Sequence, residues 1–385
     1  MTTSNHAPLP ADLHEIERSM LERVRTLEPA PQRAATLAPM LAAVLIEAQI
    51  TSRLLDHTAR WLRTEHGLGH YTIGSAGHEA NALVALALRP TDPALLHYRS
   101  GGFYVARSLQ AREHSIQTSD PVDDVLRGML ARSTEPIAGG RHKVFGNHDL
   151  AIIPQTSTIA SHLPRAVGLA LSFELAATDG GGDRDRDRPI DTTWPTDSVV
   201  VCSFGDGSLN HSTAQGALNW AAQLTHAGRR VPVLFVCEDN GVGLSVPTTP
   251  GWVAASATSR PGLHYVHIPG GQPATSLPTL IETVDLVRTE GRPAFVHLDT
   301  VRFLGHAGTD VEAAYRTPEA LRADLARDPI IGAAQLALDH GCSTPDDLVV
   351  WYLAERAAIR SRALEIAGEP ALRSATEVML SLIHI

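Results

Sequence analysis

Two short stretches carry the residue types that metal and phosphate chemistry needs. Gly205-Asp206-Gly207 closes one apolar run, and Glu238-Asp239-Asn240-Gly241-Val242-Gly243 closes another. Asp206 offers a carboxylate, Asn240 an amide oxygen and Val242 a backbone carbonyl, which together make a hard, oxygen-only and incomplete ligand set. Such a set suits Mg2+, which takes few protein oxygens and fills its octahedron with phosphate oxygens and water. The flanking glycines let the backbone approach phosphates, and a helix following the first stretch turns its N-terminal dipole toward them. Taken singly, the first stretch reads as a tight turn and the second as a loop. Their shared position, each directly after a buried strand of one unit, favours the ligand reading. A dinucleotide fingerprint is excluded, because Asn210 stands where its third glycine belongs.

The elements that must position these residues are legible around them. Residues 198–204 (SVVVCSF) and 231–237 (VPVLFVC) are continuous apolar runs rich in β-branched residues, as expected of strands buried on both faces of a parallel sheet. A helix over 214–224 joins them into a βαβ unit. Further strands are expected at 264–268 and 294–300, with a helix over 277–290 between. In an open parallel sheet ligands bind at the carboxyl ends of strands, which puts both stretches on one rim. Helical periodicity also covers 11–27, 38–63, 78–88, 102–110, 161–177 and the chain from 318 onward, whereas 115–156 reads as irregular. Residues 179–189 alternate Asp and Arg without an apolar side chain, so 179–196 is expected to be a solvated loop. The fold class is therefore α/β, an open parallel sheet with helices on both faces and helical N- and C-terminal extensions. Its expected parts are a helical region 1–63, an α/β domain 64–310 and a helical region 311–385.

Composition narrows the function classes. The 385 residues are 43% hydrophobic and 19% charged, an ordinary globular balance. A net charge of −10 repels a phosphate backbone, which argues against nucleic acid as a partner. Three cysteines without a C-x-x-C pair give neither a disulfide framework nor a cysteine zinc site, and a reducing cytoplasm fits them best. No apolar run approaches the roughly 18 residues of a membrane helix. Lys143 is the sole lysine and is not followed by Ser or Thr, so there is no P-loop, and a Schiff-base enzyme would have to use this one residue.

The pair of motifs, Gly205-Asp206-Gly207 with Asp239-Asn240, resembles the thiamine-diphosphate motif. Its surroundings, over about residues 60–365, resemble the alpha subunit of the 2-oxo acid dehydrogenase first component, the family of the pyruvate and branched-chain enzymes. The resemblance extends to His97-Tyr98-Arg99, implying that Tyr98 and Arg99 grip the diphosphate, with Arg suited by its two-pronged donor geometry. Ser157 and Ile159 match the segment that holds the aminopyrimidine ring and bends the cofactor. Arg302 and His306 match the active-site loop, which implies that His306 lies near the reacting carbon and Arg302 near the diphosphate. His70 and His78 flank Gly77-His78-Glu79-Ala80, the counterpart of a helix start in the family, and are further catalytic candidates. Ala307 replaces the serine that is phosphorylated in mitochondrial relatives.

The resemblance implies thiamine diphosphate and Mg2+ as cofactors, a small 2-oxo acid as substrate, oxidative decarboxylation, and transfer of the acyl group to a lipoyl-bearing acyltransferase. The glutamate that activates the cofactor comes from the beta subunit in this family, and no counterpart occurs here. A beta subunit, or a missing C-terminal beta domain of a fused enzyme, is thus an expected partner. A transketolase-like or acetoin-cleaving enzyme would share the Asp206/Asn240 site without a lipoyl partner. A non-catalytic subunit of the same fold is the remaining alternative.

Overall fold

A computed structural model of the chain describes residues 13–30, 37–69, 73–135, 137, 143–178, 194–308 and 310–378. His70, most of the charged 179–196 stretch and the apolar tail 379–385 lie outside the described residues.

The strands are β1 (Ala94–Leu95), β2 (Val200–Gly205), β3 (Val233–Asp239), β4 (Val242–Gly243), β5 (Val246–Pro247), β6 (His264–Ile268) and β7 (Ala294–Asp299). Five of them form one parallel sheet in the order β1-β2-β3-β7-β6, and β4 and β5 form a small antiparallel hairpin. The helices are α1 (Leu13–Arg25), α2 (Pro39–His66), α3 (Ala82–Leu86), α4 (Gly101–Glu113), α5 (Pro121–Met129) and α6 (Leu163–Thr178). They continue as α7 (Ser212–His226), α8 (Trp252–Thr258), α9 (Pro273–Glu290), α10 (Pro318–Ala326), α11 (Pro329–Asp339) and α12 (Pro345–Ala367).

Side chains alternate across a strand, so each central strand supplies two cores. Val201, Leu234, Val236, Val296 and Leu298 face α2, α3, α4, α9, α11 and α12. Val200, Cys202, Phe204, Phe235 and Phe295 face α6, α7 and α8 on the other side. Helices thus cover both faces, as the continuous apolar runs require. The first and last described helices meet, since α1 packs on α11 and α12, and Arg356 of α12 pairs with Glu17 of α1 at 2.7 Å. No helix of the described residues is long and apolar enough to cross a membrane.

Two local expectations need correction. Residues 115–156 are not wholly irregular: Asp120 caps α5 by accepting from the Val122 and Asp123 amides, and Pro121 sits at its first turn. The helix expected over 78–88 is a 3-10 turn at Glu79–Asn81 followed by the five residues of α3. The sheet also has an edge strand, β1, that is too short to leave a sequence period.

Candidate active site

Parallel register decides what the two stretches can do. Gly205 pairs with Glu238 across β2 and β3, so Asp206 and Asn240 emerge side by side at the carboxyl edge. Their loops nearly touch: a Cβ on Gly207 would lie 2.9 Å from Gly243 Cα, so Gly207 has no room for a side chain. Gly241 turns the chain with φ +75°, the left-handed conformation that glycine adopts at no steric cost. The hairpin then returns Thr248, whose hydroxyl donates a short hydrogen bond to Asp206 Oδ2.

Asp206 is 2% exposed. Burial, then the neighbouring Asp239 carboxylate, pushes its pKa up to about 6, against the opposing Thr248 hydroxyl. Asp239 itself is turned away, accepting from Gly241 N and pairing with His297 Nε2 at 2.8 Å.

The other expected residues converge on the same place. One cleft of about 130 Å3 is lined by Tyr98, Arg99, Ile159, Gly205, Asp206, Gly207, Asn240, Val242, Arg302 and His306. Ser157 lines a small adjoining recess together with Tyr98 and Ile159. Tyr98 and Arg99 follow β1, so the short edge strand is what brings them beside β2. Arg99, 3% exposed, donates to Gly74 O at 2.5 Å, to His306 O at 3.0 Å and to His306 Nδ1 at 3.2 Å. It thereby anchors the loop that carries His306. That ring is driven down to a pKa of about 4 by burial first and then by Arg99 and Arg302. A neutral ring whose Nδ1 accepts from Arg99 keeps its proton on Nε2, where it can donate. Arg302 donates to Leu244 O at 2.7 Å and to the Tyr315 hydroxyl at 2.5 Å, leaving its Nε buried without a partner.

His78 does not line the cleft. It is fully buried beneath Asn240, with Nδ1 2.7 Å from Glu238 Oε2 and Nε2 2.9 Å from Asn240 Nδ2. Burial, partly offset by Glu238, pulls its pKa down to about 4.

Sequence reasoning missed Glu238, Thr248 and the ligand-facing part of His97. Glu238 is buried among Ser100 Oγ, Asn81 Nδ2 and His78. Thr248 had no local signal. His97 lines the cleft; its Nδ1 lies 3.8 Å from Glu238 Oε2, and its Nε2 is buried without a hydrogen-bond partner. His78, His97 and Glu238 bring ligand-type atoms within 4.8 Å of one another. They do not make a metal site, because His78 and Glu238 already satisfy each other and their other neighbours.

The residues present fit a metal–diphosphate group. Hard oxygens stand at the rim, two glycines allow close backbone approach, and two cleft-lining residues, His97 and Arg302, each keep a buried nitrogen, Nε2 and Nε, without a hydrogen bond that an anion's oxygens could supply.

An open parallel sheet with an oxygen-lined cleft at its carboxyl edge defines an α/β ligand-binding protein of the doubly wound kind. Residues 47–364 match the family described as dehydrogenase E1 component, and the chain belongs to that family. This bears out the resemblance to alpha subunits of the 2-oxo acid dehydrogenase first component and makes the chain an oxidoreductase component. It is similar to the 2-oxoisovalerate dehydrogenase subunit alpha of Bacillus subtilis (strain 168), with 24% identity over 359 residues, 91% of this chain and 98% of that protein. It is 23% identical over 280 residues to the mitochondrial 2-oxoisovalerate dehydrogenase subunit alpha 2 of Arabidopsis thaliana, covering 72% of this chain and 52% of that one. The mitochondrial subunit alpha of Caenorhabditis elegans is 25% identical over 279 residues, 71% and 56% of the two chains. The chain thus spans nearly all of the bacterial relative and little more than half of these mitochondrial ones.

Proposed function

We propose that the chain is the alpha part of a branched-chain 2-oxo acid dehydrogenase first component, working in the cytoplasm and holding thiamine diphosphate and Mg2+ in the cleft. The observation that carries this is the convergence of Asp206, Asn240, Val242, Tyr98, Arg99, Arg302 and His306, spread over more than 200 positions, on one cleft. When bound, the cofactor supplies a thiazolium carbon that takes up the electrons released on decarboxylation. The protein residues bind and orient. Asp206, Asn240 Oδ1 and the Val242 carbonyl would hold Mg2+; Tyr98, Arg99 and Arg302 would meet the diphosphate oxygens, with Arg99 also anchoring the His306 loop. Ile159, an exposed apolar side chain at the cleft mouth, packs against a ring of the cofactor. His306 offers its Nε2 proton to an oxygen of the 2-oxo acid.

A volume of about 130 Å3 is well below the roughly 300 Å3 or more of a complete small-molecule site. A half-site fits a partner that completes it, and we assign that part to a beta subunit or beta domain, which also supplies the activating glutamate. The acyl group then passes to a lipoyl-bearing acyltransferase. Calorimetric titration with thiamine diphosphate, with and without Mg2+, tests the binding reading: heat is expected only with the metal. Decarboxylation by the chain without a beta partner would contradict the half-site.

A further inference from the structure

Asn240 is held on both polar atoms of its side chain. Nδ2 lies 2.9 Å from His78 Nε2, and Oδ1 accepts from the Val242 amide at 3.0 Å. His78 in turn places Nδ1 2.7 Å from Glu238 Oε2. Glu238 cannot swing away, since Ser100 Oγ donates to its Oε1 at 2.9 Å and Asn81 Nδ2 to its Oε2 at 3.2 Å.

Donor and acceptor types settle the direction of this chain. An ionised carboxylate only accepts, so the proton of a neutral His78 sits on Nδ1 and Nε2 presents a bare lone pair. Only the amide NH2 of Asn240 can meet that lone pair. The reversed amide would set Oδ1 against it and NH2 against the Val242 N–H, two repulsive contacts in place of two hydrogen bonds. Glu238 therefore fixes the tautomer, and the tautomer fixes the amide with its oxygen on the Val242 side, where the cleft lies.

The geometry points to His78 as a positioning residue that sets the metal affinity of the cleft through Asn240 without touching metal or cofactor. This rests on Asn240 being a Mg2+ ligand. Partners that orient a ligand in this way typically weigh about 10- to 100-fold in metal affinity.

The test titrates Mg2+ into the full chain at saturating thiamine diphosphate, for wild type, Asp206→Ala, His78→Gln and His78→Leu. Gln can place Oε1 where Nε2 stands and accept from Asn240; Leu cannot. His78→Leu is expected to weaken apparent Mg2+ affinity roughly 10- to 100-fold, with excess Mg2+ restoring cofactor binding, while His78→Gln stays within about threefold. Equal affinity of the Leu variant and wild type, or equal losses in Gln and Leu, overturns the inference. Nitrogen NMR of the wild-type ring reads the tautomer even where a variant does not fold: an Nδ1 proton supports the chain of contacts, an Nε2 proton overturns it. A wild type without Mg2+-dependent cofactor binding brings down the metal reading and this inference with it. A loss in Asp206→Ala beside an unchanged His78→Leu brings down the inference alone.

Discussion

Asp206 and Glu238 are buried carboxylates at the same edge of the sheet, 2% and 0% exposed, and their surroundings push them in opposite directions. Glu238, at the floor, is penalised by burial, yet the hydrogen bond from His78 and the nearby His97 ring more than offset this and hold its pKa well below the usual range. Asp206, at the rim, has the Thr248 hydroxyl and backbone amides beside it, and burial wins, lifting its pKa. The difference separates structure from function. A carboxylate supplied with donors from three other side chains is part of the scaffold. One that is short of donors at the mouth of a cleft is arranged for a cation that comes from outside.

Glu238→Ala sharpens the contrast most. It strands His78 Nδ1–H, the Ser100 hydroxyl and the Asn81 amide, and is expected to cost on the order of 3 kcal/mol of folding stability, about 1 kcal/mol per orphaned donor. Denaturant unfolding measures this, and a loss below the error of the method would break the distinction.

Asp206→Ala is expected to do the reverse, leaving the melting temperature unchanged or raised while weakening Mg2+-dependent cofactor binding by about 100-fold or more. Next in size is a pH effect with opposite signs in the two states. The folded pKa of Asp206 is raised, so this group favours the folded apo chain at low pH, and that contribution is lost as pH rises from about 4 toward 6. Mg2+ needs the ionised form, so its affinity climbs through pH 6 and levels off above it. Titrations at several pH values should show that midpoint, and Asp206→Asn should remove it. Thr248→Val carries the smallest effect, about 1 kcal/mol. With its donor gone, Asp206 ionises later and the binding midpoint moves to higher pH.

How much of this was legible in the sequence depended on range. The central strands announced themselves, because burial on both faces leaves continuous apolar runs, and His264–Ile268 was placed to the residue. The stripe Val122, Val125, Leu126, Met129 behind Asp120-Pro121 is a clear helix signal, yet α5 is nine residues long and the His- and Gly-rich stretch beyond it dominated the reading of 115–156. The motif residues Asp206 and Asn240 were visible because each directly follows a strand. Glu238 lay in the quoted motif, but its partner His78 is 160 positions away. Thr248 reaches Asp206 only because the β4–β5 hairpin folds back. No local period records such long-range contacts.

Diffraction from crystals of the chain with thiamine diphosphate and Mn2+ bears most directly on the pairing of Asp206 with Asn240. An anomalous peak in coordinating contact with an Asp206 carboxylate oxygen, Asn240 Oδ1 and the Val242 carbonyl is expected, beside the diphosphate. A cofactor bound with its metal elsewhere, or with Asn240 turning its NH2 toward the cleft, would contradict it.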